Sequence, residues 1–321
     1  MYLDKVLVTG GAGFIGSHFT DRLMNEGCRV TVIDNLSTGR IKNIKGWLGN
    51  PKFAFLEKDL RNRRELENIS QNINVVFHFA ANPEVRVGAT DPAVHFEENL
   101  VATYNLLEAM RKSKLAKTIV FASTSTIYGE ASIIPTHEDY GPLTPISVYG
   151  ATKLGCEALI TSYSYTFNLR ALILRLANIV GPRSNHGVIH DFIKKLQKNP
   201  TRLEILGDGN QQKSYMHIDD CIDALLHTTK TFLKSNKTVD VYNVGSNDQI
   251  SVKRIAEIIV EETGLQNVNL HFTGGVNGGR GWKGDVKNMH LSIEKLANTG
   301  WKPKHNSEQA IKLAVRSILN E

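Results

Sequence analysis

Short apolar runs alternating with amphipathic stretches set the rhythm of the first half of the chain. Lys5-Val6-Leu7-Val8-Thr9 has the length and β-branched content of a buried strand, and Phe14, Ile15, Phe19 and Leu23 then recur at helical spacing. Further strand-like runs follow at Arg29 to Ile33, Phe53 to Leu56, Val75 to Phe79, Thr118 to Ala122 and Arg170 to Ala177. Between them lie a short helical segment at Arg64 to Ile69, a long one from Pro92 to Lys112 carrying Leu100, Thr103, Leu106, Leu107 and Met110, and another from about Ser147 to Phe167. Strictly alternating strands and helices predict an α/β fold, a Rossmann-type doubly wound parallel sheet.

Beyond Ala177 the pattern becomes mixed. Helices are expected at Val188 to Lys198, Asp219 to Phe232, Val252 to Glu262, Leu291 to Leu296 and Glu308 to Leu319, with short strands near Leu203, Tyr215 and Val241 to Val244. Gly274 to Gly284 reads as a long loop. The expected organisation is a nucleotide-binding domain over 1–175 and a smaller mixed α/β substrate-binding lobe over 176–321, interleaved with the first.

Composition narrows the class without changing that outline. Of 321 residues, 41% are hydrophobic and 22% charged, ordinary values for a folded globular chain. No uninterrupted apolar run reaches the roughly 18 residues that a membrane span needs. Met1 leads almost directly into the first strand with no secretory pattern, so a cytoplasmic protein is expected. Cys28, Cys156 and Cys221 are widely spaced in apolar surroundings and predict reduced thiols rather than a disulfide framework. CxxC and HExxH motifs are absent, and no metal site is expected; His186 and His190, four apart, could share a helix face but make no ligand set. The net charge of +6 favours an anionic partner, yet the basic residues are dispersed, which points to a phosphate-bearing small molecule and away from nucleic acid.

The chemistry concentrates at strand ends. Gly10-Gly11-Ala12-Gly13-Phe14-Ile15-Gly16 joins the first strand to the first helix, where glycines permit a tight turn and let a pyrophosphate approach the helix N-terminus. Asp34 closes the second strand about 20 residues on, the position of the acid that meets the adenosine ribose and repels a 2′-phosphate, which selects NAD over NADP. Ser123 through Gly129 follow the fifth strand. Tyr149 and Lys153 stand four apart on one predicted helix, so an ammonium can stabilise a phenolate beside it and make the tyrosine a base.

Taken jointly, the glycine turn, Asp34-Asn35-Leu36, Phe79-Ala80-Ala81, Ser123 to Gly129 and Tyr149-xxx-Lys153 resemble the extended short-chain dehydrogenase/reductase family, and within it the UDP-glucose 4-epimerases of archaeal type. The resemblance runs from the first strand to the last helix. It implies that Gly10, Gly13, Phe14, Ile15 and Gly16 hold the NAD pyrophosphate, Asp34 and Asn35 the ribose, Asp59 and Leu60 the adenine, and that Phe79, Ala80, Ala81 and Asn99 lie along the cofactor. It assigns Tyr149, Lys153 and Thr124 to catalysis and Asn178 to the UDP-sugar. Two departures concern the diphosphate: Lys213 stands where relatives carry Arg, and Trp282-Lys283-Gly284-Asp285 replaces Arg-Pro-Gly-Asp/Glu, which leaves Arg280 or Lys283 to bind it. Met289 occupies a position that bears on accommodating an N-acetyl group.

Ser125 and Thr126 follow Thr124 without the Asp-Glu pair of related dehydratases or the Glu of UDP-glucuronate decarboxylases. That pattern implies reversible 4-epimerisation of a UDP-sugar. The alternatives are another nucleotide-sugar epimerase, reductase or decarboxylase of the same family, or a non-enzymatic NAD sensor. The long helices near 92–112 and 147–167 resemble the pair that builds a four-helix homodimer interface in that family.

Overall fold

The computed structural model describes residues 3–66, 69, 72–276 and 278–320. Its contacts divide into two compact units, each formed from several stretches of chain. The first takes residues 1–124, 151–175 and 222–242; the second takes 125–150, 176–221 and 243–321. The division at Arg175/Leu176 used in the sequence reading is therefore one of several crossings.

The first unit is built on the β-branched runs. Strands β1 (Lys5–Thr9), β2 (Arg29–Asp34), β3 (Phe53–Glu57), β4 (Val75–His78), β5 (Thr118–Thr124) and β6 (Arg170–Leu176) are joined by the strand Val239–Val244 in a parallel sheet. The order is Val239–Val244, β6, β5, β4, β1, β2, β3. The chain thus winds outward from β1 in one direction, then returns to β4 and winds the other way, the doubly wound arrangement expected from the alternation. The reversal falls between β1 and β4, whose Thr9 and His78 are register partners. Such a crevice, at the carboxyl ends of the two strands, is where this architecture receives a ligand.

Helices α1 (Phe14–Asn25), α2 (Pro92–His95), α3 (Ala102–Lys112) and α4 (Val148–Phe167) belong to this framework. Ala102, Leu106, Leu107 and Met110 of α3 pack with Cys156 and Ile160 of α4 over Leu7, Val76, Ile119 and Ile173 of the sheet. The expected single helix over 92–112 is interrupted by a π turn at Phe96–Val101. Apolar spacing cannot register one extra residue per turn. Of the helical segment expected at Arg64 to Ile69, a 3-10 turn at Arg63–Leu66 is described, while Glu67 and Asn68 lie outside the described residues.

In the second unit, helices Val188–Lys198, Val252–Thr263 and Ser307–Leu319 share a core with Leu203, Ile205 and Tyr215. The pairs Asn178–Val180 with Tyr215–His217, and Arg202–Ile205 with Asn269–Phe272, run parallel. Gln212–Lys213 sits between Ile250–Ser251 and Asn288–Met289. Several of these strands have two or three residues, too short for a period to show. The helix expected at Leu291 to Leu296 is confined to Glu294–Ala297, because Leu291 bridges Thr136 and Ser292 donates its N–H to the Thr136 carbonyl. The Gly274 to Gly284 loop carries one bridge, Val276 to Arg280; Asn277 lies outside the described residues.

Cys28, Cys156 and Cys221 are buried free thiols. His186 precedes the helix Val188–Lys198, so it shares no helical face with His190. Among the described residues no group of three His, Cys, Asp or Glu could hold a metal, and no helix is long and apolar enough to cross a membrane.

Candidate functional site

Gly10 leaves β1 in the left-handed region, at φ 68°. A Cβ there would stand 2.7 Å from the Ala80 nitrogen and 2.8 Å from its Cα, so the exits of β1 and β4 touch backbone to backbone. A Cβ on Gly16 would meet the Gly10 carbonyl oxygen at 2.1 Å, which brings the start of α1 directly onto the turn. Gly13 is the N-cap of α1 and supplies no capping side chain, and no acid stands in the first helical turn. The helix therefore presents its positive end with no capping side chain and no acid in its first turn, the arrangement that receives a pyrophosphate.

Asp34 ends β2 with 8% of its surface exposed. Its two carboxylate oxygens accept the Ala12 N–H at 2.9 Å and the Leu36 N–H at 2.8 Å. Burial pushes its pKa upward, opposed by these backbone donors and by that of Gly13. Gly39 has to lack a side chain, because a Cβ would come within 2.7 Å of the same carboxylate. Asn35 reaches across to Asp59 at 3.0 Å, where the Arg61 guanidinium holds the carboxylate at a pKa of about 2. Leu60 is buried beside Asp59, and its carbonyl accepts from Asn105. The acid, amide and apolar groups expected around an adenosine thus gather at the ends of β2 and β3.

At the end of β4, Phe79 packs edge-on against Phe19 of α1, and Ala80 and Ala81 continue past the glycine turn. Asn99 lies in the π turn at Phe96–Val101. Only 1% exposed, its side chain accepts the Asn82 N–H at 2.9 Å and donates to Thr152 at 3.3 Å. It is a buried support for the turn after β4.

Ser147 immediately precedes helix α4, and its hydroxyl accepts the Gly150 N–H as an N-cap does. Tyr149, half-buried, lies in the first turn, and Lys153 follows one turn on. Lys153 is 3% exposed; its ammonium donates to the Ala122 carbonyl at 2.8 Å and stands 4.6 Å from the centre of the Phe121 ring. Burial lowers its pKa to about 8. Ala122 is followed by Ser123 and Thr124, the last residue of β5, and then by a 3-10 turn at Ser125–Tyr128.

In the second unit, Lys213 and Met289 are register partners on adjacent strands. Lys213 is already engaged: it pairs with Asp285 at 2.5 Å and lies 5.4 Å from the centre of the Trp282 ring. Arg280 pairs with Glu130 at 2.8 Å and donates to the Asp285 carbonyl. Lys283 is exposed, Met289 is buried, and Asn178 donates to the Ser214 carbonyl at 3.1 Å. Ser214 is the residue after Lys213, so Asn178 belongs to the same cluster.

Sequence reasoning passed over three buried polar residues in the first unit, His78, Glu157 and Arg175. His78 is bridged between Thr9 at 2.7 Å and Thr103 at 2.9 Å, and burial lowers its pKa to about 3, so it is a neutral strut under the switch point. Ser123, Glu157 and Arg175 form a second cluster. The available signal was Glu157 standing four residues after Lys153 and Arg175 placed inside an apolar run.

A doubly wound sheet, an open helix N-terminus at its switch point and a Tyr–Lys pair one helical turn apart define a dinucleotide-dependent protein of the short-chain dehydrogenase/reductase class. Residues 6–245 match the NAD dependent epimerase/dehydratase family, and the chain belongs to it. A putative UDP-glucose 4-epimerase of Methanocaldococcus jannaschii is 34% identical over 320 residues, covering 98% of each chain. A crystal structure of a UDP-galactose 4-epimerase superimposes with a TM-score of 0.88 at 43% identity, again covering 98% of both chains. A UDP-glucuronate 4-epimerase of Thermodesulfobacterium geofontis is 32% identical, covering 96% of this chain and 94% of its own. The chain is accordingly a nucleotide-sugar enzyme of epimerase type whose cofactor is NAD, and the glycine turn, the uncapped α1 terminus and Asp34 fit that cofactor.

Proposed function

We propose that this protein is an NAD-dependent UDP-sugar 4-epimerase that interconverts UDP-glucose and UDP-galactose, or their N-acetylated counterparts, through a transient 4-keto sugar. The observation that carries this reading is the anchoring of Lys153 on the Ala122 carbonyl, one turn from Tyr149, with Thr124 two residues on. Ser125 and Thr126 add no carboxylate, and hence no second acid or base for elimination.

When bound, NAD supplies a hydride acceptor that can return what it accepts. The chain supplies the proton chemistry and the placement. Tyr149 as phenolate takes the proton of the sugar 4-hydroxyl, Thr124 hydrogen-bonds the same oxygen, and the Lys153 cation stabilises the phenolate. The keto sugar turns over, and Tyr149 returns the proton once C4 has been reduced on its other face. Gly10, Gly13, Phe14, Ile15 and Gly16 would hold the pyrophosphate of NAD. Asp34, Asn35, Asp59 and Leu60 would hold its adenosine; Phe79, Ala80 and Ala81 line it, with Asn99 in support. Asn178, Lys213, Arg280 and Lys283 serve the sugar nucleotide, and Met289 bears on the N-acetyl question. Lys283 is the exposed cation of that set, while Lys213 and Arg280 would have to share their carboxylate partners with a diphosphate.

The test is conversion across a panel of UDP-glucose, UDP-galactose, UDP-N-acetylglucosamine and UDP-glucuronate, with Tyr149→Phe alongside. Interconversion at C4 that disappears in Tyr149→Phe supports the proposal. A protein that converts none of them, or converts them equally well without the phenol, sinks it. The second reading, a uronate epimerase, rests on the similarity to the glucuronate enzyme, and preference for UDP-glucuronate in the same panel would select it. A homodimer is part of the proposal: Phe96 at 50% and Tyr165 at 68% exposure leave large apolar rings for a partner copy. A monomer in sedimentation would remove that part.

A further inference from the structure

We infer that Glu157 and Arg175 are positioning residues of the proposed reaction, holding helix α4 at a fixed height and rotation against β5. The inference rests on the epimerase reading for its chemistry, and the contacts among Ala122, Ser123, Lys153, Glu157 and Arg175 all lie within the first unit.

Two consecutive residues of β5 bond to this helix. The Ala122 carbonyl accepts from Lys153 at 2.8 Å, the Ser123 hydroxyl donates to the Glu157 carboxylate, and Thr124 ends the strand. Lys153 and Glu157 stand four apart and therefore share one helix face. Two neighbouring strand residues are thus clasped by two side chains one helical turn apart, and Tyr149 lies one further turn toward the N-terminus of the same helix. From β6, Arg175 closes the clasp. Its Nε donates to the two Glu157 oxygens at 3.1 and 3.3 Å, and its Nη2 donates at 2.8 Å. Both side chains of the pair are at most 7% exposed.

Stability alone is a weak reason for such a pair. Desolvating a carboxylate and a guanidinium offsets most of their attraction, and apolar side chains of similar volume commonly pack as well or better. Apolar packing lacks direction, however, whereas hydrogen bonds from Ser123 and Arg175 fix the carboxylate from two sides. A helix that slid or rotated would carry Tyr149 and Lys153 with it.

Charge adds to position. The ionisable groups that act on Lys153 include Cys156 and Glu157 from α4 and His78 from β4, and Tyr149 stands one turn away on the same helix. Burial pulls the lysine toward its neutral form, and Cys156 and Glu157 oppose that pull. Without the carboxylate, Lys153 loses its proton at lower pH.

The experiment compares the wild-type protein with Glu157→Gln and with Ser123→Ala, which removes a single hydrogen bond and is the safer variant for folding. The expected result for Glu157→Gln is a kcat lower by about tenfold or more with KM changed by less than about threefold, together with an alkaline limb of kcat that moves to lower pH. Ser123→Ala should lose kcat to a smaller extent with its limb unmoved. A kcat within about twofold of wild type and an unmoved limb in Glu157→Gln would overturn the inference. Hydrogen–deuterium exchange over Val148 to Glu157 decides the same question without a substrate: faster exchange in Glu157→Gln supports it, and unchanged exchange overturns it. Should the wild type convert no sugar nucleotide, the proposed function falls and the exchange result still judges the clasp.

Discussion

A Cβ at Gly10 tests the switch point most sharply, because two separable penalties meet there. At φ 68° an L side chain costs roughly 1 kcal/mol through contact with its own carbonyl. The new carbon would also sit 2.7 to 2.9 Å from three backbone atoms of Phe79 and Ala80. Backbone cannot rotate away as a side chain does, so the ends of β1 and β4 must part by several tenths of an ångström. The hydrogen bond from Gly10 to the Ile33 carbonyl, 2.8 Å, resists that movement. Overpacking of this kind costs about 1–3 kcal/mol, which brings the total to roughly 2–4 kcal/mol and a fall in Tm of roughly 5–10 °C. Gly27 separates the two effects: it has φ 81° but only the tip of the Lys52 side chain at 3.9 Å. Gly46, with nothing within 4 Å, is the neutral control. Calorimetry of the three alanine variants, with bound nucleotide measured after denaturation, should rank the losses Gly10, then Gly27, then Gly46, and NAD content should fall only in Gly10→Ala. Equal stability and full NAD content in Gly10→Ala and Gly27→Ala would refute the reasoning.

Lys153→Met should abolish turnover yet raise stability by about 1–2 kcal/mol at pH 7 in protein stripped of nucleotide, read by thermal melts. The sign follows from a folded pKa of about 8 against an ordinary 10.5: the unfolded chain holds the proton more firmly, so the penalty is full below pH 8 and fades toward 10.5. His78 titrates near 3 when folded and 6.5 ordinarily, so the stability it contributes is complete above pH 6.5 and is lost as the pH falls toward 3. His78→Asn should flatten the slope of Tm against pH between 6 and 4, and an unchanged slope would count against the buried neutral histidine. Asn243 accepts from the Tyr128 hydroxyl and donates to the Thr136 and Ser292 carbonyls; Asn243→Leu should cost about 2–4 kcal/mol in denaturant titration by leaving them unpaired.

What the sequence revealed followed the length scale of its signals. The strands β1, β2, β4, β5 and β6 carry short apolar runs, and the glycine turn, Asp34 and the Tyr149/Lys153 spacing are local patterns with local causes, so they were legible. Asn99 was assigned to the cofactor by resemblance alone, and its bonds to Asn82 and Thr152 from within a π turn leave no mark in the periodicity. The second unit was harder to read because its two-residue strands, such as Gln212–Lys213, are held by partners far along the chain. The pairing of Lys213 with Asp285, across 72 positions, has no sequence signature at all. Glu157 and Arg175 escaped notice for the same reason, although one of them stood on the helix face already singled out.

Reversible removal of hydride at C4 is read out by UDP-glucose carrying deuterium at that carbon. Incubated with the NAD-loaded enzyme in ordinary water, it should yield UDP-galactose that keeps the deuterium at C4, with no reduced cofactor released. Loss of the label to solvent, or a product changed at another carbon, would contradict the account.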